Sequence, residues 1–457
     1  MIRSALLLLA VVLAGCGSTQ PQDTPTRAQI SDSSLPPMKG FSSPRPSAPT
    51  QSNANIAADF LSLHFELESG RSLPIFTRFE MPMTVRVTGK PPASLAPDLR
   101  RLLTRLQREA GINIRQVSST NNAANITVQA ISRSEIRRAL PQAACFVVPN
   151  VTSLDDFRRK RRSPDTNWSM LQTRTQMAIF LPYDSSPQEI RDCLHEELAQ
   201  AIGPLNDLYR LPDSVFNDDN VHTVLTGFDM LILRASYAPE LHSGMTKAQV
   251  AAELPALLSR LNPRGDRLPP QPVSSTPRSW VDSVQTALGP GASPSVRQKA
   301  AQSAVATAQQ LGWQDQRRAF GYYMLGRITQ VKDPVLAQRY YASALGYLRQ
   351  TPGTELHRAY IATQTAAYAI VLGDGIEALR QIEPSLDVAA RSENAALLAT
   401  LMLLQAEALD LTGQSEKARA VRLDSLGWAR YGFGSDWAVR AKMQEIASLN
   451  PQGRRKS

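Results

Sequence analysis

Histidine and cysteine are scarce in this chain, five and three in 457 residues. The histidines (His64, His195, His222, His242 and His357) show no paired spacing, so no two of them share a helix face as a histidine-based metal site requires. Gly-x-Ser-x-Gly, P-loop and Gly-x-Gly-x-x-Gly patterns are missing too. Their absence removes nucleophile-elbow hydrolases and the phosphate and dinucleotide binders that depend on such loops. Beyond the N-terminus there is no long apolar run. The most apolar later stretch, 396–411, contains Gln405, Glu407 and Asp410 and reads as a buried soluble helix. The net charge of +10 is unevenly spread, because Arg158-Arg159-Lys160-Arg161-Arg162 supply five charges and Arg454-Arg455-Lys456 three. The folded body is therefore near neutral, and nucleic acid is not an expected partner.

What is present starts with an address. MIRSALLLLAVVLAGC has one basic residue, a short apolar run and then Cys16. That is the layout of a secretory signal peptide, with an apolar part too short to span a bilayer. Leu13-Ala14-Gly15-Cys16 looks like a bacterial lipobox, which predicts a signal peptide over 1–15 and lipidation of Cys16. Gly17 follows where an aspartate would resemble an inner-membrane retention signal, so an outer-membrane lipoprotein facing the periplasm is expected. Residues 16–56, dense in Ser, Pro, Thr and Gln, read as a flexible lipidated tether. Cys145 and Cys193 remain. In an oxidising periplasm an even pair becomes a disulfide, which would pin the Cys193 helix to a strand.

Residues 57–261 mix the two periodicities. Strand-like PMTVRVTG, NITVQAI, AACFVVPN and TRTQMAIFLPYD alternate with helical DLRRLLTRLQREA and SRSEIRRAL. The next helix has clear ends: Ser186 as N-cap, Pro187 in the first turn, Glu189 three residues after the cap, and Gly203-Pro204 as the stop. Residues 262–294 (NPRGDRLPPQPVSSTP, later GPGASPS) read as a linker. From 295 to 450 the chain is alanine-rich and helical, ending in a basic tail over 451–457. Ala366, Gly373, Ala378, Ile382 and Ser385 recur forty residues later as Ala406, Gly413, Ala418 and Ser425, and an earlier unit shows Gly326, Ala337, Tyr341 and Ala344. Small residues at these places let two antiparallel helices approach closely. The pattern resembles tetratricopeptide repeats and implies a surface for a protein partner.

CLHEELAQAIGPLND, residues 193–207, carries the one chemical motif. A zinc protease helix needs His-Glu-x-x-His, because positions i and i+4 reach one ion and the glutamate activates its water. From His195 the i+4 residue is Ala199, and the pattern fails. Shifted by one residue, the spacing of the longer H-E-x-x-H-x-x-G-x-x-H signature is kept. Glu196, Gln200 and Asn206 then stand in the three ligand places and Glu197 in the general-base place. The string E-E-x-x-Q-x-x-G-x-x-N-D, followed by Ser214-Val215-Phe216-Asn217-Asp218, Leu225-Thr226-x-x-Asp229 and Gly244-Met245-Thr246, resembles an uncharacterised family of secreted bacterial proteins. That family is named only as a domain of unknown function and is zincin-like. The resemblance implies a metallopeptidase-like fold over 57–260: strands, a backing helix, an edge strand ending at Tyr183 and then the motif helix.

The fold expected is thus an α+β zincin-like domain followed by an all-α helical-repeat (tetratricopeptide-like) domain. The function expected is that of a bacterial envelope lipoprotein without catalysis or cofactor, binding an envelope protein through its repeats and the membrane through its lipid. The alternative is a metal-dependent hydrolase of peptide or peptidoglycan, using Glu197 as general base and zinc or another divalent metal. Amide oxygens at 200 and 206 are weak zinc ligands and suit hard, oxygen-loving ions better. The bland reading of Glu196, Glu197 and Gln200 is a polar cluster that holds the following loop.

Overall fold

The computed structural model describes residues 35–41 and 46–452; the signal peptide, Cys16 and the basic tail beyond 452 lie outside them. The first half runs α1 (Asn53–Phe65), β1 (Met83–Gly89), α2 (Leu95–Ala110), β2 (Ile114–Gln116), β3 (Ile126–Ile131), α3 (Arg133–Ala139), β4 (Phe146–Pro149), α4 (Leu154–Lys160), β5 (Met177–Pro182), α5 (Pro187–Ile202), α6 (Gly227–Ser236) and α7 (Lys247–Leu261). Helices alone follow: α8 (Arg278–Leu288), α9 (Pro294–Gln310), α10 (Gln316–Thr329), α11 (Pro334–Gln350), α12 (Glu355–Val371), α13 (Gly375–Arg391), α14 (Ala395–Leu411), α15 (Ser415–Phe433) and α16 (Asp436–Ala447). None of the described helices is long and apolar enough to cross a membrane.

The five strands form one sheet in the order β2-β1-β3-β5-β4, with β4 antiparallel and the rest parallel. Parallel strands need crossovers that cover both faces, so their residues are buried on both sides. In β5, Met177, Ile179 and Leu181 enter the main core while Ala178 and Phe180 face the smaller core with Phe146, Phe157 and Ile136. This corrects two expectations. The architecture is α/β with a mixed sheet rather than α+β. The strand ending near Tyr183 is interior, and the edge belongs to β4, whose four residues carried too little pattern to be ranked. Cys145 and Cys193 are bridged, tying the chain just before this edge strand to α5.

Both segments predicted to be unstructured contribute packed residues. Within 262–294, α8 forms and buries Trp280 fully against Tyr209 and Trp313. One indole in a Pro-rich stretch outweighs its composition, since an aromatic ring buries far more area than its neighbours lose. Within 16–56, Ser52 caps α1 and residues 35–41 lie along α15. There Lys39 N–H donates to Gly427 O, Arg430 donates to Pro36 O, and Phe41 stacks on Trp428 at 4.7 Å. Gly427 permits the approach, because a Cβ there would meet the Lys39 side chain at 2.7 Å.

From Leu35 onward the chain forms one unit, and the two halves meet along repeated positions. Gln316, His357 and Asn394 stand at the starts of α10, α12 and α14. They bond to Tyr209 O, Asp219 and Gln188 of the α/β half, at 3.1, 2.8 and 3.1 Å. Arg191, fully buried on α5, donates to Glu393 Oε2 at 3.2 Å and to Glu393 O.

Candidate functional site

Helix α5 carries the motif. Ser186 accepts from Glu189 N–H at 3.2 Å, Pro187 opens the first turn, and Gly203 N–H closes the helix onto Ala199 O at 2.8 Å. Ile190, Leu194, Leu198 and Ala201 lie in the core as the apolar stripe requires.

Glu197 is 5% exposed and its Oε2 has no hydrogen-bond partner. Glu196 is half-buried beside it, and Gln200 is buried one turn on. Asn206 donates through Nδ2 to Ser62 O at 3.1 Å, which fixes it to α1. The end of the helix is held by Arg174, which bonds Gln200 O at 2.6 Å and also Gly203 O. Burial lowers the pKa of this guanidinium to about 10. Nothing in the pattern around Arg174 marked it; a lone arginine before a strand has no sequence signature.

Sequence reasoning also missed the company the motif keeps. Glu68, Asp207 and Asp218 gather with Glu196 and Glu197, and no ion pair with a basic side chain is found for any of the five among the described residues. Burial, then Asp218 and Glu68, pushes the Glu196 pKa up to about 8. Burial and the neighbouring Glu196 raise Glu197 well above the usual carboxylate range, and Asp207 behaves likewise. Asp207 hydrogen-bonds Glu68, and Asp218 hydrogen-bonds Tyr209. Beside them opens a cavity of about 520 Å³ lined by Glu68, Asn206, Asp207, Tyr209, Asp218 and Arg278. Asn217 makes a turn, accepting from Asp219 N–H at 3.2 Å, while Asp207 and Asp218 belong to the acidic group.

The rest of the motif string proves to be a network that fixes the loop after α5. The buried Asp229 carboxylate accepts from Ser214 Oγ at 2.5 Å, Val215 N–H at 3.1 Å and Thr226 N–H at 2.8 Å. Thr246 caps α7 with Gln249. His195, eye-catching in the sequence but out of register, accepts from Leu225 N–H at 3.1 Å and is held neutral by burial and nearby arginines. His222 pairs with Asp213 at 3.3 Å.

Zinc does not fit this donor set. Two of the three ligand places are amides, whose oxygens are weak ligands for zinc. Among the described residues no group of three or more His, Cys, Asp or Glu side chains is placed to hold a metal ion. What the arrangement can do is share protons among carboxyls and present negative charge at the cavity mouth.

No curated protein and no solved structure matches the chain. Residues 53–256, from the start of α1 to within α7, match the family described as Protein of unknown function (DUF2927).

Proposed function

We propose that the protein is a non-catalytic lipoprotein of the bacterial envelope, anchored to the outer membrane through Cys16 and facing the periplasm. Its α/β half is a metallopeptidase-like domain without metal chemistry, and its helical half is a tetratricopeptide-like stack that binds an envelope protein. Support for the first part comes from the order of elements: strands, a backing helix α2, and then the interior strand β5 leading directly into the motif helix α5. The single observation that carries the non-catalytic reading is the donor set at α5, one carboxylate and two amides beside a buried Glu197. A general base must be ionised and must reach its water. A carboxyl whose pKa is raised first by burial, and then by Glu196 and Glu68, is poorly suited to that task.

Support for the repeats comes from recurrence. Ala366, Ala378, Ile382, Ala406, Ala418 and Ser425 are all buried where consecutive helices cross. Hydrolysis assays on peptide and on peptidoglycan, with the full chain and with Glu197→Gln, test the reading. No turnover by either protein is expected; turnover that disappears in Glu197→Gln would overturn it.

A further inference from the structure

A second cavity, of about 840 Å³, opens where the two halves meet and is larger than the one beside the acidic group. Its walls are the chain entering α1, the loop after α5, the Pro-rich segment before α8, and the turns α9–α10 and α11–α12. These walls are fastened to one another. Asn55 of α1 accepts from Gln271 N–H at 2.8 Å and donates to Gln271 O at 2.7 Å. Arg317 donates to Ser274 O at 3.0 Å, and Gln316 to Tyr209 O at 3.1 Å. The space is therefore preformed, and a ligand need not order it on binding.

Ligand sites of roughly 300–1,000 Å³ are mostly lined by apolar side chains. This one is polar and balanced in charge. Four charged side chains line it, and they form two pairs. Arg210 Nε donates to Asp59 Oδ1 at 2.7 Å, and Arg317 Nη2 donates to Asp315 Oδ2 at 2.6 Å. Paired charges leave little net field to select an ion. Most of the other polar lining is amide and hydroxyl. Within this lining Gln51 Oε1 and Arg210 Nη2 are enclosed without a hydrogen-bond partner. One is an acceptor and the other a donor, and each costs free energy until a partner arrives. A hydroxyl both donates and accepts, so a ligand carrying several hydroxyls answers both. Val273 and Leu311 also line the cavity, yet stay 45% and 48% exposed. They offer an apolar contact beside the polar one, which suits a sugar ring with its C–H face and hydroxyl rim. None of the walls is a strand, so an extended peptide finds no ladder to join.

We propose that this cavity binds a neutral oligosaccharide. Arg210 donates to its hydroxyls, Gln51 accepts from them, and Val273 and Leu311 meet a C–H face. The site is separate from the motif residues of α5. It does not depend on the envelope reading, so it stands or falls by sugar binding alone.

The test is titration calorimetry of the full chain with maltotetraose and with chitotetraose, both neutral. Glucose 6-phosphate and acetyl-tetraalanine amide serve as anionic and peptide controls. Saturable binding of at least one neutral tetrasaccharide is expected, with a Kd of about 1 mM or below. Binding of chitotetraose alone would assign recognition to its acetamido groups, and binding of both sugars to the hydroxyls they share. Gln350→Trp brings an indole into the cavity from an exposed position and should weaken binding at least about tenfold. Arg210→Lys keeps a cation beside Asp59 but loses the free N–H, and should weaken it about fivefold, as should Gln51→Ala. Thermal unfolding checks that each variant folds, and the surface variant Gln350→Trp carries the test if Arg210→Lys does not. No heat from either tetrasaccharide at about 10 mM would overturn the proposal. So would tighter binding of the phosphate or the peptide, or sugar binding indifferent to Gln350→Trp.

Discussion

The α/β half encloses charge within its main core, whereas the helical half, which also buries Arg317, His357, Glu393 and Glu407, packs its seams with small side chains. Between α1 and α7 the core encloses Arg174, Arg191, Asp229, His64, His195 and Glu197. Each charged group there needs partners, and most have them; the acids around Glu197 share protons instead. Between α10 and α16 the seams are alanine and glycine: Ala344, Ala366, Ala378, Ala399, Ala408 and Ala429 are buried, and Gly432 touches the Ala396 backbone. A charged core is specific but vulnerable to loss of one partner, while a small-residue seam is vulnerable to added volume. The contrast therefore predicts opposite weaknesses.

The largest effect should come where the halves meet. Arg191→Ala leaves the buried Glu393 only its longer pairing with Arg101 at 3.9 Å, and should cost about 3–5 kcal/mol, read from urea unfolding. A loss below roughly 1 kcal/mol would mean that the joint is held by packing alone. Next is the disulfide, which closes a loop across 48 positions. Replacing both Cys145 and Cys193 by Ser should cost about 2–4 kcal/mol and free α5 from the edge strand, measurable as faster amide exchange in β4. In the helical half, Gly432→Ala puts a Cβ 2.5 Å from Ala396 N and Cα, against backbone that cannot step aside. About 1–3 kcal/mol should be lost, with calorimetry as the check.

The smallest effect is a slope. An acid whose folded pKa lies above its unfolded one stabilises the fold below the unfolded value, and that stability is lost as pH rises through the folded one. Glu196 moves from 4.5 to about 8, and Glu197 and Asp207 shift in the same direction. His64, held near 3 by burial, works the other way: its contribution is present above 6.5 and lost as pH falls. Between pH 6.5 and about 8.5 His64 is neutral in both states, so the acids decide. Stability should fall by roughly 1 kcal/mol per pH unit for each proton released. His222, raised by Asp213, adds to the fall. Urea midpoints across this range should show a shallower slope in Glu196→Gln.

Much of the helical half was legible because close helix packing demands small residues at fixed spacing, and spacing is what a sequence displays. The ends of α5 were legible for a similar reason: Ser186, Pro187 and Gly203 act through local backbone geometry. The disulfide followed from counting two cysteines in an oxidising compartment. The rest depended on long-range encounters. Glu68 is far in sequence from Glu196, yet both join one acidic group, and no local pattern announces that. Phe41 and Trp280 sit in stretches whose composition argues against folding, and a single ring decides each. AACFVVPN reads as a strand, but which strand lies at a sheet edge is set by long-range pairing, and the edge implied by the resemblance falls on β5 where the sheet has β4.

The central claim is that α5 keeps a metalloprotease spacing without metal chemistry. Metal content of the full chain, purified without chelator and read by elemental mass spectrometry, tests it most directly. The account predicts zinc and other divalent metals far below one per chain, with no difference between the native chain and Glu196→Ala. One metal per chain, lost in Glu196→Ala while the fold persists, would contradict it.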